Sequence, residues 1–333
     1  MITVLQTQPQ NTVQDLGRFG YRELGVGTAG AMDDVALQVG NILLGNQHDA
    51  AALEIQTFPF VVSFDEARFV AVTGANAKLD LSGQSFLPWT LKRVEAGQTL
   101  TICRPTVGAR MYLCVQGGID VPAILGSRST QLRGGFGGFE GRFLENGDVL
   151  KTGDGPIRRS LYGALPPGQR LEQLDPEKGI VGLRVIPATD YFRFPEHARH
   201  RFWNTGWKIS PQSNRTGYRL KGEQVLPDKA VELRSYGVVP GIIQVPPSGE
   251  PIVQMADANT AGGYLRIASV IEADLWRLGQ APVGARIRFI PCDHAEGIAA
   301  MKAVTSYLCD LMQITGLYQG GTQHAPTGCF LTL

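Results

Sequence analysis

Three arginines set among six glycines form the strongest chemical signal in the chain. The segment GSRSTQLRGGFGGFEGR, residues 126–142, carries Arg128, Arg133 and Arg142 beside Ser127, Ser129 and Thr130, with Gly134, Gly135, Gly137 and Gly138 between them. A guanidinium fork grips carboxylate or phosphate through two parallel hydrogen bonds, and glycine lets a ligand close on the backbone. The segment reads as an anion-binding loop or as a tight structural corner. SPQSNRTGYRL (210–220) adds Ser213, Asn214, Arg215, Tyr218 and Arg219, and MADANTAGGY (255–264) adds Asp257, Asn259 and Thr260 beside paired glycines.

Two other motifs are decoys. Gly25, Gly27 and Gly30 have G-x-G-x-x-G spacing, and Glu54 lies at roughly the distance of a ribose-binding acid. A dinucleotide fingerprint needs a buried strand directly before its glycines. Here they follow VQDLGRFGYREL, which is polar and broken by glycine, and Glu54 falls inside a strand candidate. The Rossmann reading fails. A glycine loop that feeds a helix N-terminus nonetheless suits an anion, unless its glycines only shape a turn. AAMKAV (299–304) approaches the Ala-Met-Lys-Met signature of biotinylated lysines, but Lys302 falls in mid-helix and Ala303 follows it. Lys302 is expected to be a surface lysine, with no biotin attached to this chain.

Five cysteines lie scattered without a C-x-x-C pair, and His197 with His200 is the one close histidine pair. Neither pattern supplies a disulfide framework or a metal site. The cysteines are expected to be buried free thiols. No Ser-His-Asp or Cys-His arrangement with usable context supports a nucleophilic hydrolase.

The elements that must position these residues are mostly short strands. ITVLQ (2–6), ALEI (52–55), FVVSF (60–64), RFVAVTG (68–74), AKLDL (77–81), QTLTICR (98–104) and RMYLCVQ (110–116) come first. GLRVIP (182–187), GIIQVP (241–246), PIVQMA (251–256) and ARIRFI (285–290) follow. Brief runs at regular intervals, punctuated by 41 Gly and 20 Pro, indicate antiparallel barrels or sandwiches rather than a doubly wound sheet. Two helices interrupt them. One is capped by Asp33 or Asp34, carries Val35, Val39, Ile42 and Leu43, and ends at Gly45. The other starts at Asp293, with Glu296 as a capping-box partner and Met301, Val304, Leu308 and Leu311 on one face.

At 333 residues, 43% hydrophobic and 18% charged, the chain is long enough for two domains of roughly 100–200 residues each. The Gly/Pro-rich, charged stretch near 153–180 divides an N-terminal domain (1–175) from a C-terminal one (176–315), leaving a tail (316–333). Thirty-one Lys and Arg nearly cancel thirty Asp and Glu, so no global field favours nucleic acid or an anionic membrane. No apolar run reaches the roughly 20 residues of a membrane span, and the N-terminus lacks a signal-peptide pattern. A cytoplasmic protein acting on a small molecule is the expectation.

Several blocks together carry a resemblance. TVQDLGRFGYRELGVGTAGAMDDVAL, GGIDVPAILGSRSTQLRGGFGGFEGR, SPQSNRTGYRL, GVVPGIIQVPPSGEPIVQMADANTAGGY and IASVIEADLWRLGQ resemble, in order, the biotin-dependent carboxyltransferase / allophanate hydrolase subunit 2 family over roughly residues 2–300. The resemblance implies a mainly β protein of two cyclophilin-like barrels with a few short helices. It also implies a role in ATP-dependent opening of 5-oxoproline to glutamate. The implied partners are a homologous cyclophilin-like protein of the 5-oxoprolinase B type and an A-type component of the LamB/YcsF kind. Other relatives act as the carboxyltransferase part of a urea carboxylase, or pair with a kinase inhibitor as non-enzymatic regulators. Opening a lactam with ATP calls for donors to phosphate charge and a clamp for the substrate carboxylate. Those tasks are assigned to Arg128, Arg133 and Arg142, with Ser129, Thr130 and the glycines 134, 135, 137 and 138 around them. Asn214, Arg215, Tyr218, Arg219 and Thr260 would form an opposite wall, with Asp15 or Asp257 available to Mg²⁺. No Walker sequence is present, so an ATP site would be unconventional or shared with a partner.

Overall fold

The computed structural model describes residues 1–156, 161–172, 174, 179–229 and 233–317. The chain forms two compact units: Met1–Gly17, Asp33–Glu172 and the stretch from Ala303 onward make the first, while Arg18–Met32 and Gln173–Lys302 make the second. The linear division at residue 175 contains no such exchange. A short segment given up to another core leaves no mark in local composition.

In chain order the first unit carries β1 (Ile2–Gln6), β2 (Thr12–Gln14), β3 (Ala52–Ile55), β4 (Phe60–Phe64), β5 (Arg68–Asn76) and β6 (Leu79–Leu81). β7 (Gln84–Phe86), β8 (Leu91–Val94), β9 (Thr99–Ile102), β10 (Val107–Val115) and β11 (Val149–Leu150) complete it. They build a six-stranded sheet in the order β11-β1-β4-β9-β6-β7 and a five-stranded sheet in the order β2-β3-β10-β5-β8. β4 shows why such segments become strands. Phe60, Val62 and Phe64 are buried while Val61 and Ser63 are only partly so, the period of a pleat with one face on a core. Side chains of both sheets meet in one apolar cluster that includes Phe60, Val72, Met111 and Leu113. Each fully buried residue of this kind contributes roughly 1.5–3 kcal/mol.

α1 (Asp34–Leu44) packs on β5 and β10. The Asp33 carboxylate accepts from Ala36 N–H, and Gly45 ends the helix in a left-handed conformation (φ 66°), as the caps predict. The helix is buried from Val35 through Leu44, all the way round rather than along a stripe. Beneath its first turn, the Tyr112 hydroxyl accepts from Asp33 N–H (2.8 Å) and donates to buried Glu54 (2.7 Å). Glu54 is therefore a structural acid, as its place inside a strand suggests.

The second unit carries β12 (Ile180–Pro187), β13 (Trp207–Ile209), β14 (Gly217–Lys221), β15 (Tyr236–Gly237), β16 (Ile242–Val245), β17 (Ile252–Gln254), β18 (Ala261–Gly262), β19 (Leu265–Val270) and β20 (Arg286–Pro291). Seven of them close a barrel in the order β12-β19-β16-β17-β14-β13-β20, shut by parallel pairing of β20 on β12. Its core gathers Trp207, Phe202, Phe289, Leu220, Ile243 and Ile267. α2 (Pro167–Arg170) belongs to the first unit; α3 (Glu196–Asn204) and α4 (Leu275–Gln280) belong to the second. α5 (His294–Leu317) opens with the reciprocal Asp293–Glu296 capping box at 2.8 Å in both directions. Val304, Leu308 and Leu311 are buried and Lys302 is exposed. The mainly β fold agrees with expectation, although α5 is much longer than a short helix. Gly316 and Leu317, the first two residues of the expected tail, end α5; the remainder lies outside the described residues. Among the described residues no helix is long and apolar enough to cross a membrane.

Candidate functional site

A cavity of about 740 Å³ opens on the first unit between Asp120–Arg128, the Gly135–Gly141 loop and the β11 region at Val149 and Lys151. Val121, Ile124, Phe136, Phe139 and Val149 give it apolar walls, and Asp120, Arg128, Glu140 and Lys151 give it charge. It is built on the glycine-arginine segment that the sequence singles out.

Asp15, just past β2, organises that segment. Its carboxylate accepts hydrogen bonds from Gly17 N–H (2.8 Å), the Ser127 hydroxyl (2.7 Å), the Ser129 hydroxyl and Arg128 N–H. The Ser129 hydroxyl in turn accepts from Asp15 N–H (2.9 Å). Thr130 donates both its N–H and its hydroxyl to Val13 C=O, at 3.0 and 2.9 Å. Ser129 and Thr130 are thus buried fasteners rather than ligand donors.

The three arginines separate. Arg128 donates from Nε to Val121 C=O (2.9 Å), reaches to 3.7 Å from Asp120 and lines the cavity. Arg133 is exposed on the Gln131–Phe136 turn and is not part of the cavity wall. Arg142 clasps Asp148 with two bonds of 2.9 Å, bonds Glu140 at 3.0 Å and sits over the Phe139 ring. Its fork is spent inside the protein, which corrects the expectation that it binds ligand. Burial alone would raise the Asp148 carboxyl; the bonds from Arg142 and from Glu145 N–H outweigh that and hold it below the usual carboxylate range.

The glycines also divide. A side chain on Gly138 would meet the Thr130 hydroxyl at 1.9 Å, and one on Gly134 would meet the Phe136 ring at 2.5 Å. Both are glycine for packing. Gly137 is buried and left-handed (φ 70°). Gly135 is left-handed (φ 64°) and faces open space in the cavity wall. Sequence reasoning missed Asp120, Glu140 and Lys151. Only Glu140 carries a local cue, lying among the glycines, and it holds a left-handed φ of 56°.

In the second unit, Arg215 and Asp257 form a buried pair with two bonds of 3.0 Å, and Arg215 also donates to Gly30 C=O. The pair pins the Arg18–Met32 segment, so both side chains are engaged within the protein, where the sequence reading has Arg215 in a ligand-binding wall and Asp257 available to Mg²⁺. Asn214 accepts from Thr216 and Gly217 N–H and shapes a turn. Tyr218 is buried in the barrel, Arg219 is exposed on β14, and Thr260 C=O accepts from Val238 N–H.

The donor sets test the implied cofactors. Asp15 and Asp257 have spent their oxygens, and among the described residues no three His, Cys, Asp or Glu gather as a metal would require. These residues do not fit Mg²⁺. A triphosphate in the cavity would face two cations and two carboxylates, so the loop by itself does not fit ATP either. His197 and His200 lie exposed on α3, without the third ligand that a metal needs. Cys103, Cys114 and Cys292 are free thiols; Cys114 is buried beneath α1, and that burial pushes its thiol up.

Comparison with known proteins fits this architecture. The family model for the carboxyltransferase domain, subdomain A and B, matches residues 24–291. The C component of the Escherichia coli K12 5-oxoprolinase is 41% identical over 311 residues, covering 92% of this chain and 96% of that protein. The urea amidolyase of Lachancea kluyveri is 33% identical over 305 residues, 85% of this chain but 16% of that much longer protein. Among solved structures, the Kluyveromyces lactis urea amidolyase superposes with a TM-score of 0.80 at 28% identity, covering 92% of this chain and 20% of that one. The chain belongs to the family of the carboxyltransferase domain, subdomain A and B.

Proposed function

We propose that this chain is the C-type component of an ATP-dependent 5-oxoprolinase, converting 5-oxo-L-proline to L-glutamate with a cyclophilin-like partner of the B type and a LamB/YcsF-type A component. The observation that carries this reading is the 41% identity to the C component of a 5-oxoprolinase along 96% of its length. A lactam carbonyl resists water, and phosphorylation from ATP would supply the activation. Since the loop does not fit a nucleotide alone, ATP is assigned to a partner or to a site completed by one. This chain's part is to hold the acid. Arg128 and Lys151 offer cationic donors to the substrate carboxylate, while Val121 and Phe136 cover the ring methylenes.

The test is to combine this chain with its partner proteins, ATP, Mg²⁺ and 5-oxoproline and to measure glutamate. A well-assembled complex that forms none refutes the reading. Removing one cationic donor to the substrate carboxylate costs about tenfold in kcat/KM through a raised KM, the expected result for Arg128→Ala. Arg133→Ala asks whether the exposed arginine joins the site on assembly; an unchanged rate removes it.

A second reading, the carboxyltransferase component of a biotin-dependent urea or amide carboxylase, is favoured by the superposition on the urea amidolyase. Carboxyl transfer from a biotinylated carrier protein to urea, with no turnover of 5-oxoproline, selects it.

A further inference from the structure

Asp15 is buried, yet among the described residues it has no cationic partner. Its four partners are Gly17 N–H, the Ser127 and Ser129 hydroxyls and Arg128 N–H, and all of them donate. Only an acceptor-only group satisfies such a set; an asparagine would turn an NH₂ toward one of the donors. Ionised hydrogen-bond acceptors are also the stronger ones.

The pattern of donors is informative. Ser127 and Ser129 turn their side chains to Asp15, whereas Arg128 between them offers only its backbone N–H. In extended chain, alternate residues face one way and the residue between them faces the other. With both serines fixed inward, the Arg128 side chain is sent to the opposite side. There it bonds Val121 C=O and lines the cavity, while Arg128 C=O accepts from Gly138 N–H and ties in the glycine loop.

We propose that Asp15 is a positioning residue that aims Arg128 into the cavity, so that its carboxylate sets the affinity of the site for a small carboxylic acid without touching that acid. This rests on the reading of the cavity as the substrate site.

Two readouts test it. In the isolated ¹⁵N-labelled chain, Asp15→Asn is expected to speed hydrogen exchange of the Arg128 amide by about tenfold, the loss of one charge-assisted bond, while β10 amides such as Tyr112 hold their rates. In the assembled enzyme, Asp15→Asn is expected to raise KM for 5-oxoproline by about tenfold with kcat changed less than about twofold. Arg128→Ala should do the same, and the double variant should be no worse than Arg128→Ala alone. Unchanged exchange at Arg128, or KM effects that multiply, overturns the proposal. An unaltered assembly with no turnover sinks the functional reading only, and exchange at Arg128 still decides the positioning. If Asp15→Asn does not fold, Ser129→Ala, which removes one donor and leaves the carboxylate, takes its place with the same expected directions.

Discussion

Gly138 and Gly135 are near neighbours in one loop, both left-handed, and the structure assigns them different costs on substitution. Gly138→Ala places a methyl group 1.9 Å from the Thr130 hydroxyl and 2.9 Å from Thr130 Cβ. Thr130 cannot step back, because its N–H and its hydroxyl are both committed to Val13 C=O. A left-handed alanine costs about 1–2 kcal/mol, and overpacking against a fixed neighbour adds about 1–3, so the total is about 2–5 kcal/mol. Gly135→Ala has the same backbone penalty (φ 64°) with nothing within 4 Å of the new methyl, so it costs about 1–2 kcal/mol. Calorimetric melting of both variants, read on the transition of the first unit, measures the difference. The new methyl at Gly135 stands in the cavity wall, so that variant is also expected to weaken 5-oxoproline binding. Equal destabilisation by the two alanines would refute the assignment of Gly138 to packing against Thr130.

Three further outcomes follow from other contacts. Asp257→Ala leaves the Arg215 guanidinium buried beside Gly30 C=O without its carboxylate, and urea unfolding should register a loss of about 3–5 kcal/mol. Tyr112→Phe removes the hydroxyl joining Glu54 to Asp33 N–H and is expected to cost about 1–3 kcal/mol, with faster hydrogen exchange in the first turn of α1. Asp148 is held below its ordinary range, so its bond with Arg142 stabilises fully above about pH 4 and is lost as pH falls through the lowered value. The stability gap between the unaltered chain and Asp148→Asn should therefore narrow on acidification; a gap that stays constant argues against that linkage.

Much of the scaffold was legible along the chain. The alternation in FVVSF and ARIRFI appears as strands with one buried face, and the Asp33, Gly45 and Asp293–Glu296 signals mark true helix ends. These are local rules that neighbours in sequence satisfy. β2, β14 and β18 went unread because their residues are few or polar, and pairing with distant strands makes them. Residues 126–142 stood out in the sequence as an anion-binding loop or a tight corner, and the structure gives them a run of left-handed glycines beside a cavity, yet which arginine faces that cavity was not legible. Arg142 and Arg128 have the same chemistry; Asp148 claims one, and the stretch from Ser127 to Ser129 held by Asp15 directs the other.

The sequence alone determined a mainly β chain, its family, and the residues rich enough in charge and glycine to build a site. Those properties are written in composition, period and ordered motif. Only the tertiary structure decided which charges are left for a ligand, because each buried polar group must first find a partner. Arg215 meets Asp257 from 42 residues away and Asp15 meets Ser129 from 114 residues away. Such pairings depend on how the strands return, and so the same side chains become struts in one place and cavity lining in another.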